Sequence, residues 1–269
     1  MQSKKLLWRW LKIILLLYGL IGIALYYLQD VFLFHPQRLA RDHVFKFKHR
    51  FKEINLPVNA TDTISAVHFF STQSPVKGMV VYYHGNMNNI EHYEPYVAVF
   101  LQKGYDVLMG DYPGYGKTSG SQTEKKMNEQ ARIIYTYAIS KFSADSLVIY
   151  GKSLGTGIAT YVASYEKAKA LVLETPYYSI SSLFRHYAFI YPVESMSKYK
   201  IPLHQYLTEV KMPVIIFHGT GDDVIPYKNA KRLLPLLKRD DQFITIENGG
   251  HNTLTASAAY KKKIDELLP

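Results

Sequence analysis

Six short apolar runs, five of them closing on a polar or glycine-rich tip, constrain this chain more than any other feature. They lie at 79–83, 106–109, 147–150, 170–173, 214–217 and 243–246. Runs of this length are strands, and unbroken apolar character means that both faces are covered. Helical patterns at 121–142, 155–165, 227–237 and 252–268 separate them, with Ser121 and Thr123 as candidate caps of the first. Segments 52–56 and 63–70 read as a hairpin around Asn59-Ala60. The alternation predicts an α/β fold: a mostly parallel central sheet with helices on both faces. A chain of 269 residues, 48% hydrophobic, supports one such core and has little room for a second. No repeat or low-complexity tract is visible.

In sheets of this kind ligands bind beyond the carboxyl ends of the strands. The tips are therefore the place to look for chemistry. They read His84-Gly85-Asn86, Gly110-Asp111-Tyr112, Gly151-Lys152-Ser153, His218-Gly219-Thr220-Gly221-Asp222 and Glu247-Asn248-Gly249-Gly250-His251. Gly151-Lys152-Ser153-Leu154-Gly155 fits G-x-S-x-G, a weak pattern alone. Here a strand precedes it and a helix follows, the context that puts a serine on a sharp, strained turn. A serine hydroxyl needs an adjacent base, and the base needs an orienting acid. His251 follows the last strand, and Asp222 follows the one before it, 69 residues after the serine. Asp223 is the rival acid. An oxyanion needs backbone N–H donors. Leu154 supplies one, and the turn after 79–83 supplies the other, from Asn86 or, second, Met87. His84 and His218 read as residues that fix their turns, and Asp111 as structural.

Other chemistries are argued against. There is no cysteine, which excludes a disulfide scaffold, a thiol nucleophile and cysteine-ligated zinc. Histidine spacing offers no metal site, and no cofactor is implied. Gly151-Lys152-Ser153 imitates the end of a phosphate-binding loop, but Ser146 stands where that loop needs its first glycine. The net charge of +10 raises the possibility of nucleic acid. However, ten of the 32 basic residues flank one apolar segment: Lys4, Lys5, Arg9 and Lys12 before it, and Arg38, Arg41, Lys46, Lys48, Arg50 and Lys52 after it. That placement reads as membrane-proximal charge, with no nucleic acid partner.

The segment itself, 13–28, carries no charge. Extended back to Leu6, with Arg9 and Lys12 snorkelling, it reaches the roughly 20 residues that span a bilayer. Trp8, Trp10, Tyr26 and Tyr27 stand where interfacial aromatics belong. A cleaved signal peptide is the rival reading. Its small-residue cleavage site is missing around Tyr26 to Asp30. Basic residues are denser on the amino side, so the N-terminus is expected in the cytoplasm and the remaining domain across the membrane. The expected organisation is a single-pass anchor at 6–28, a basic juxtamembrane segment at 29–50, and the folded domain at 51–269.

The motifs YYHGNMNNI (82–90), GDYPGYGKTSG (110–120), YGKSLGTG (150–157), LETPYYSI (173–180), VIIFHGTGDDVIP (214–226) and GGHN (249–252) resemble the alpha/beta hydrolase superfamily. Within it they resemble the Bem46-like group of membrane-associated serine hydrolases. The likeness runs from Lys77 to the C-terminus. It implies hydrolysis of carboxylic esters or thioesters, of a small-molecule or lipid acyl substrate, by Ser153, His251 and Asp222. The family acid falls at Asp222 when its motif is laid on His218-Gly219 and Ile225-Pro226. Relatives often carry HGNAGN where this chain has HGNMNN, so Met87 is expected to crowd the oxyanion side of the pocket. A cap is implied at 175–212. Its tyrosines and phenylalanines (Tyr177, Tyr178, Phe184, Tyr187 and others) line an acyl pocket or simply pack. Two other readings stand beside hydrolysis: a non-catalytic tethered binding module, and a serine peptidase of the same fold.

Overall fold

The computed structural model describes residues 2–269. Helix α1 (Gln2–Tyr27) is followed by α2 (Gln29–Leu33) and a short strand β1 (His35–Pro36). Strands β2 (Phe51–Pro57), β3 (Thr63–Phe69) and β4 (Gly78–Tyr83) come next, then β5 (Met87–Asn88), α3 (Ile90–Tyr93), α4 (Ala98–Leu101) and β6 (Tyr105–Gly110). Helix α5 (Glu124–Ile139), β7 (Leu147–Lys152), α6 (Leu154–Tyr165) and β8 (Ala170–Glu174) form the centre. Three short helices follow: α7 (Ile180–Tyr187), α8 (Val193–Met196) and α9 (Leu203–Glu209). The chain ends with β9 (Val214–Gly219), α10 (Tyr227–Lys231), β10 (Gln242–Ile246) and α11 (Ala258–Leu267).

Eight strands form one sheet in the order β10-β9-β8-β7-β4-β6-β3-β2. The pairings from β10 through β6 are parallel, and β3 and β2 add an antiparallel edge. Alternate residues of each strand serve two cores. Met79, Val81 and Tyr83 of β4 pack with α5 and α6, whereas Val80 and Tyr82 pack with α3, α4 and α11. A mostly parallel sheet covered on both faces is what the alternation of apolar runs and helical patterns predicts, and the arrangement is the alpha/beta hydrolase fold that the resemblance implies.

Three of the four helices are shorter than periodicity alone implies, for local reasons, while α6 keeps its expected extent. Thr123, not Ser121, caps α5: its hydroxyl accepts the Lys126 N–H at 3.2 Å. Helix α10 stops at Lys231 because Pro235 has no N–H to return to the Lys231 carbonyl, and a 3-10 turn (Leu234–Leu236) takes over. Ser257 accepts the Tyr260 N–H and starts α11 six residues later than the apolar pattern begins.

Helix α1 is long and apolar enough to cross a membrane, and only 6% of its apolar window is buried in the protein. The next 20 residues do not hang free. Leu33, Phe34 and Phe45 are buried, and β1 pairs in parallel with β5 beside the Asn86 turn. Segment 29–50 is thus a strap that passes the turns after β4 and β6, where residues 35–39 pair with Asn86, Asn88 and Gly116, and then packs beside α3 and Glu94.

Candidate active site

Ser153 sits between β7 and α6 with φ 51° and ψ −120°, a conformation that a non-glycine residue rarely adopts. The turn demands glycine at position 155. A Cβ there would lie 2.0 Å from the Tyr83 carbonyl oxygen, so any side chain would drive α6 off β4. The Ser153 N–H donates to the Glu174 carbonyl at 2.9 Å, which ties the turn to β8.

His251 follows β10 and reaches back over 98 residues of sequence to Ser153, its Nε2 lying 3.0 Å from the Ser153 Oγ. On the other side, His251 Nδ1 is 2.9 Å from Asp222 Oδ2. With Nδ1 protonated, the imidazole donates to the carboxylate and accepts from the serine. The remaining oxygen of Asp222 accepts the N–H groups of Val224 at 2.9 Å and Ile225 at 2.8 Å. Burial works against the Asp222 charge. The hydrogen bond and positive character of His251, with the Ile225 N–H, outweigh it and hold the carboxyl below its ordinary value. Asp223, the rival acid, points into solvent. Ser153, Asp222 and His251 are all nearly buried, at 7%, 7% and 9% exposure.

The amides expected to hold an oxyanion have different surroundings. Among the described residues the backbone N–H groups of Leu154 and Asn86 have no protein acceptor, and both residues line the cavity that holds Ser153. The Met87 N–H donates to the Tyr93 hydroxyl at 3.4 Å instead. The Met87 side chain also departs from expectation. It is 44% exposed and does not line the cavity, because pairing of β5 with β1 turns it outward. It therefore does not crowd the oxyanion side.

His84, His218 and Asp111 hold their turns. His84 Nδ1 lies 2.7 Å from the Gly85 carbonyl, and Asp111 accepts the Ile90 N–H at 3.0 Å. Burial raises the Asp111 carboxyl above its usual range, although His84 partly offsets this. His218 Nδ1 lies 3.0 Å from the Gly219 carbonyl, and burial lowers its basicity. Among the described residues no group of three or more His, Asp or Glu is arranged to hold a metal ion.

Two features escaped the sequence reading. The first is a buried ion pair under the nucleophile. Lys152 Nζ lies 2.5 Å from Glu174 Oε1, with side-chain exposures of 3% and 1%. Tyr150 donates to the second Glu174 oxygen at 2.6 Å, and Lys152 also reaches the His251 carbonyl at 3.4 Å. The lysine that imitates a phosphate-binding loop is thus spent on an internal partner. A lysine and a glutamate at equivalent ends of two adjacent strands are the only trace in the sequence.

The second is the make-up of the pocket. A cavity of about 410 Å³ extends from Ser153, within the range of small-molecule sites. Its far wall combines Phe184, Tyr187 and Tyr191 from the cap with Leu25, Phe32 and Leu33 from α1 and α2. Of the other aromatics in 175–212, Tyr177 also lines it, while Tyr178 stacks on His204 and Tyr206 meets Tyr161 edge to face, outside the cavity. Some aromatics of segment 175–212 therefore line the cavity, and others pack away from it.

Known proteins agree with this architecture. A family model for the alpha/beta hydrolase fold matches residues 78–200. An uncharacterised protein, R595, of Acanthamoeba polyphaga mimivirus is 24% identical over 264 residues, covering 85% of this chain and 88% of that protein. Lysophosphatidylserine lipase ABHD12 of Danio rerio is 28% identical over 187 residues, covering 62% of this chain but only 48% of the lipase, so the chain spans about half that relative's length. Among solved structures, the Pyrococcus furiosus esterase Pf2001 superposes with a TM-score of 0.69 at 16% identity, covering 87% of this chain and 98% of the esterase. The chain has the alpha/beta hydrolase fold, and over residues 78–200 its sequence is similar to the family model of that fold.

Proposed function

We propose that this chain is a membrane-anchored serine hydrolase of the Bem46-like kind that cleaves carboxylic esters or thioesters. The observation that carries the reading is the continuous relay Asp222–His251–Ser153, with contacts of 2.9 and 3.0 Å, ending beside two unengaged amides. Ser153 Oγ attacks the acyl carbonyl while His251 Nε2 takes its proton. The carbonyl oxygen becomes an oxyanion facing the Leu154 and Asn86 N–H groups. Collapse breaks the bond to the alcohol or thiol, which leaves with the proton from His251. A water then attacks the acyl-serine, giving its proton to His251; the acyl–Oγ bond breaks, His251 returns the proton to Ser153 Oγ, and the carboxylic acid departs. Asp222 holds the imidazole tautomer and stabilises the imidazolium. The largely apolar cavity favours an acyl chain over a charged substrate, and a lipase among the relatives agrees with this.

In the same reading α1 anchors the chain, with residues 51–269 forming the catalytic domain and 175–212 its cap. The excess of basic residues before the span puts the N-terminus in the cytoplasm and the site across the membrane. Fluorophosphonate labelling of the detergent-solubilised protein, beside Ser153→Ala, tests the chemistry. Labelling of the parent alone supports an activated serine. A folded parent that fails to label would overturn the reading and leave a tethered binding module.

A further inference from the structure

The cap does not sit over the sheet alone. It is fastened to α1, well inside the apolar span. The Tyr18 and Tyr191 rings stack with centroids 4.5 Å apart and planes 9° apart. The Tyr18 hydroxyl donates to the Ile190 carbonyl and the Tyr191 hydroxyl to the Tyr18 carbonyl, both at 3.0 Å. Gly22, one turn on, lets the ring approach: a Cβ there would lie 3.0 Å from it. Tyr18, Gly22, Leu25 and Gln29 form one face of the helical segment, and Gln29 continues the contact by donating to the Met196 carbonyl at 2.8 Å.

Tyr18 lies nine residues before Tyr27, about 14 Å along the axis at ~1.5 Å per residue. Half of a hydrocarbon core is about 15 Å. A helix that spans the membrane would therefore carry the cap contact into one leaflet. The cap tip suits that place. Tyr187, Phe189 and Ile190 are 60%, 77% and 59% exposed. Between Ile180 and Val193 the only charged residue is Arg185, neutralised by Glu194 at 2.9 Å. The cavity rim is also apolar and exposed, at Phe32, Tyr187 and Val224. An exposed apolar patch continuous with a membrane helix marks a lipid-facing surface.

We propose that the cap tip is inserted in the acyl-chain region of one leaflet, and that the ester substrate passes from that leaflet, between α1 and the cap, into the Ser153 pocket. The proposal rests on the hydrolase reading and on α1 as a membrane span. It assigns the substrate class as an acyl ester already dissolved in the bilayer.

The absence of cysteine makes the test direct. Phe189→Cys and, separately, Ile21→Cys are labelled with the fluorophore NBD in phosphatidylcholine vesicles carrying a nitroxide on either the acyl chain or the headgroup. Stronger quenching by the acyl-chain nitroxide at both positions is the expected result. Such quenching at position 21 with none, or headgroup quenching only, at position 189 would overturn insertion of the cap and leave the anchor intact. No quenching at either position would remove the anchor, and the proposal with it. None of these outcomes depends on Ser153 being reactive. A second measurement reads the route. Replacing Phe189 and Ile190 together by Asp should lower turnover of a long-chain ester embedded in vesicles about tenfold, while a short water-soluble ester is turned over as before. An equal change on both esters, or none on either, would overturn the leaflet route.

Discussion

The two sides of the Ser153 cavity are built by opposite means. The side that holds Ser153, Asp222 and His251 is the carboxyl end of the sheet. Strands β7 and β9 are buried along their whole length, and each of the three residues follows its strand directly or within five residues. The facing side is made of α1, α2 and the short helices α7 and α8; Ile180 roots α7 in the core, but their outer edge is held to α1 by a stacked tyrosine pair and a few hydrogen bonds and leaves large apolar side chains in the open. Strand register fixes an atom to within tenths of an ångström because every neighbour would have to move with it. Short helices under a strap can repack. Under the proposed function this difference divides the labour: the sheet side would carry the chemistry, which tolerates little misplacement, and the facing side would select the acyl group.

Substitutions on the sheet side should therefore cost most. Ser153→Ala should reduce ester turnover by about 10⁴-fold or more with little change in thermal stability, measured by initial rates and a melting curve. Asp222→Asn should lower kcat by roughly 10³–10⁴-fold, because the carboxylate no longer selects the tautomer. Asp223→Asn serves as its control, and a comparable loss there would move the acid to the exposed neighbour.

Next in size is a loss of stability. Lys152→Met strands the Glu174 carboxylate in the core and should cost about 3–5 kcal/mol, read as a fall in the denaturant midpoint. Unchanged stability would mean that Glu174 finds another partner or a proton.

On the cap side the effects should be smaller and selective. Phe184→Ala widens the pocket and should change the ratio of kcat/KM for long over short acyl esters by roughly tenfold. An equal fall for all chain lengths would break the proposed division.

The smallest effect is on pH dependence. The folded Asp222 carboxyl titrates below its unfolded value of about 3.9. Its contribution is thus present above that value and lost as pH falls through the folded one. The parent should lose stability faster than Asp222→Asn between about pH 5 and pH 2, and parallel curves would deny the depression.

Much of this protein was legible before any coordinates. Six apolar runs became six strands of the sheet, and the order Ser153, Asp222, His251 at their tips anticipated three side chains that meet in space. These features are local: a strand, its closing glycine and the residue after it are written side by side. Even the strained serine follows from the strand, glycine and helix that flank it.

Tertiary structure decided the rest. Asp222 and Asp223 are adjacent in sequence, and only the Val224 and Ile225 N–H groups and the place of His251 separate them. Met87 turned outward because a distant strand, β1, pairs with it. Lys152 met Glu174 across the β7–β8 ladder. Tyr18 met Tyr191 across 173 positions of chain. Contacts of that kind leave no periodicity in either partner, since each side chain is chosen for a neighbour that only the folded chain brings near. The sequence by itself determined the candidate chemistry and its order along the sheet; only the tertiary structure made the N-terminal helix a wall of the site.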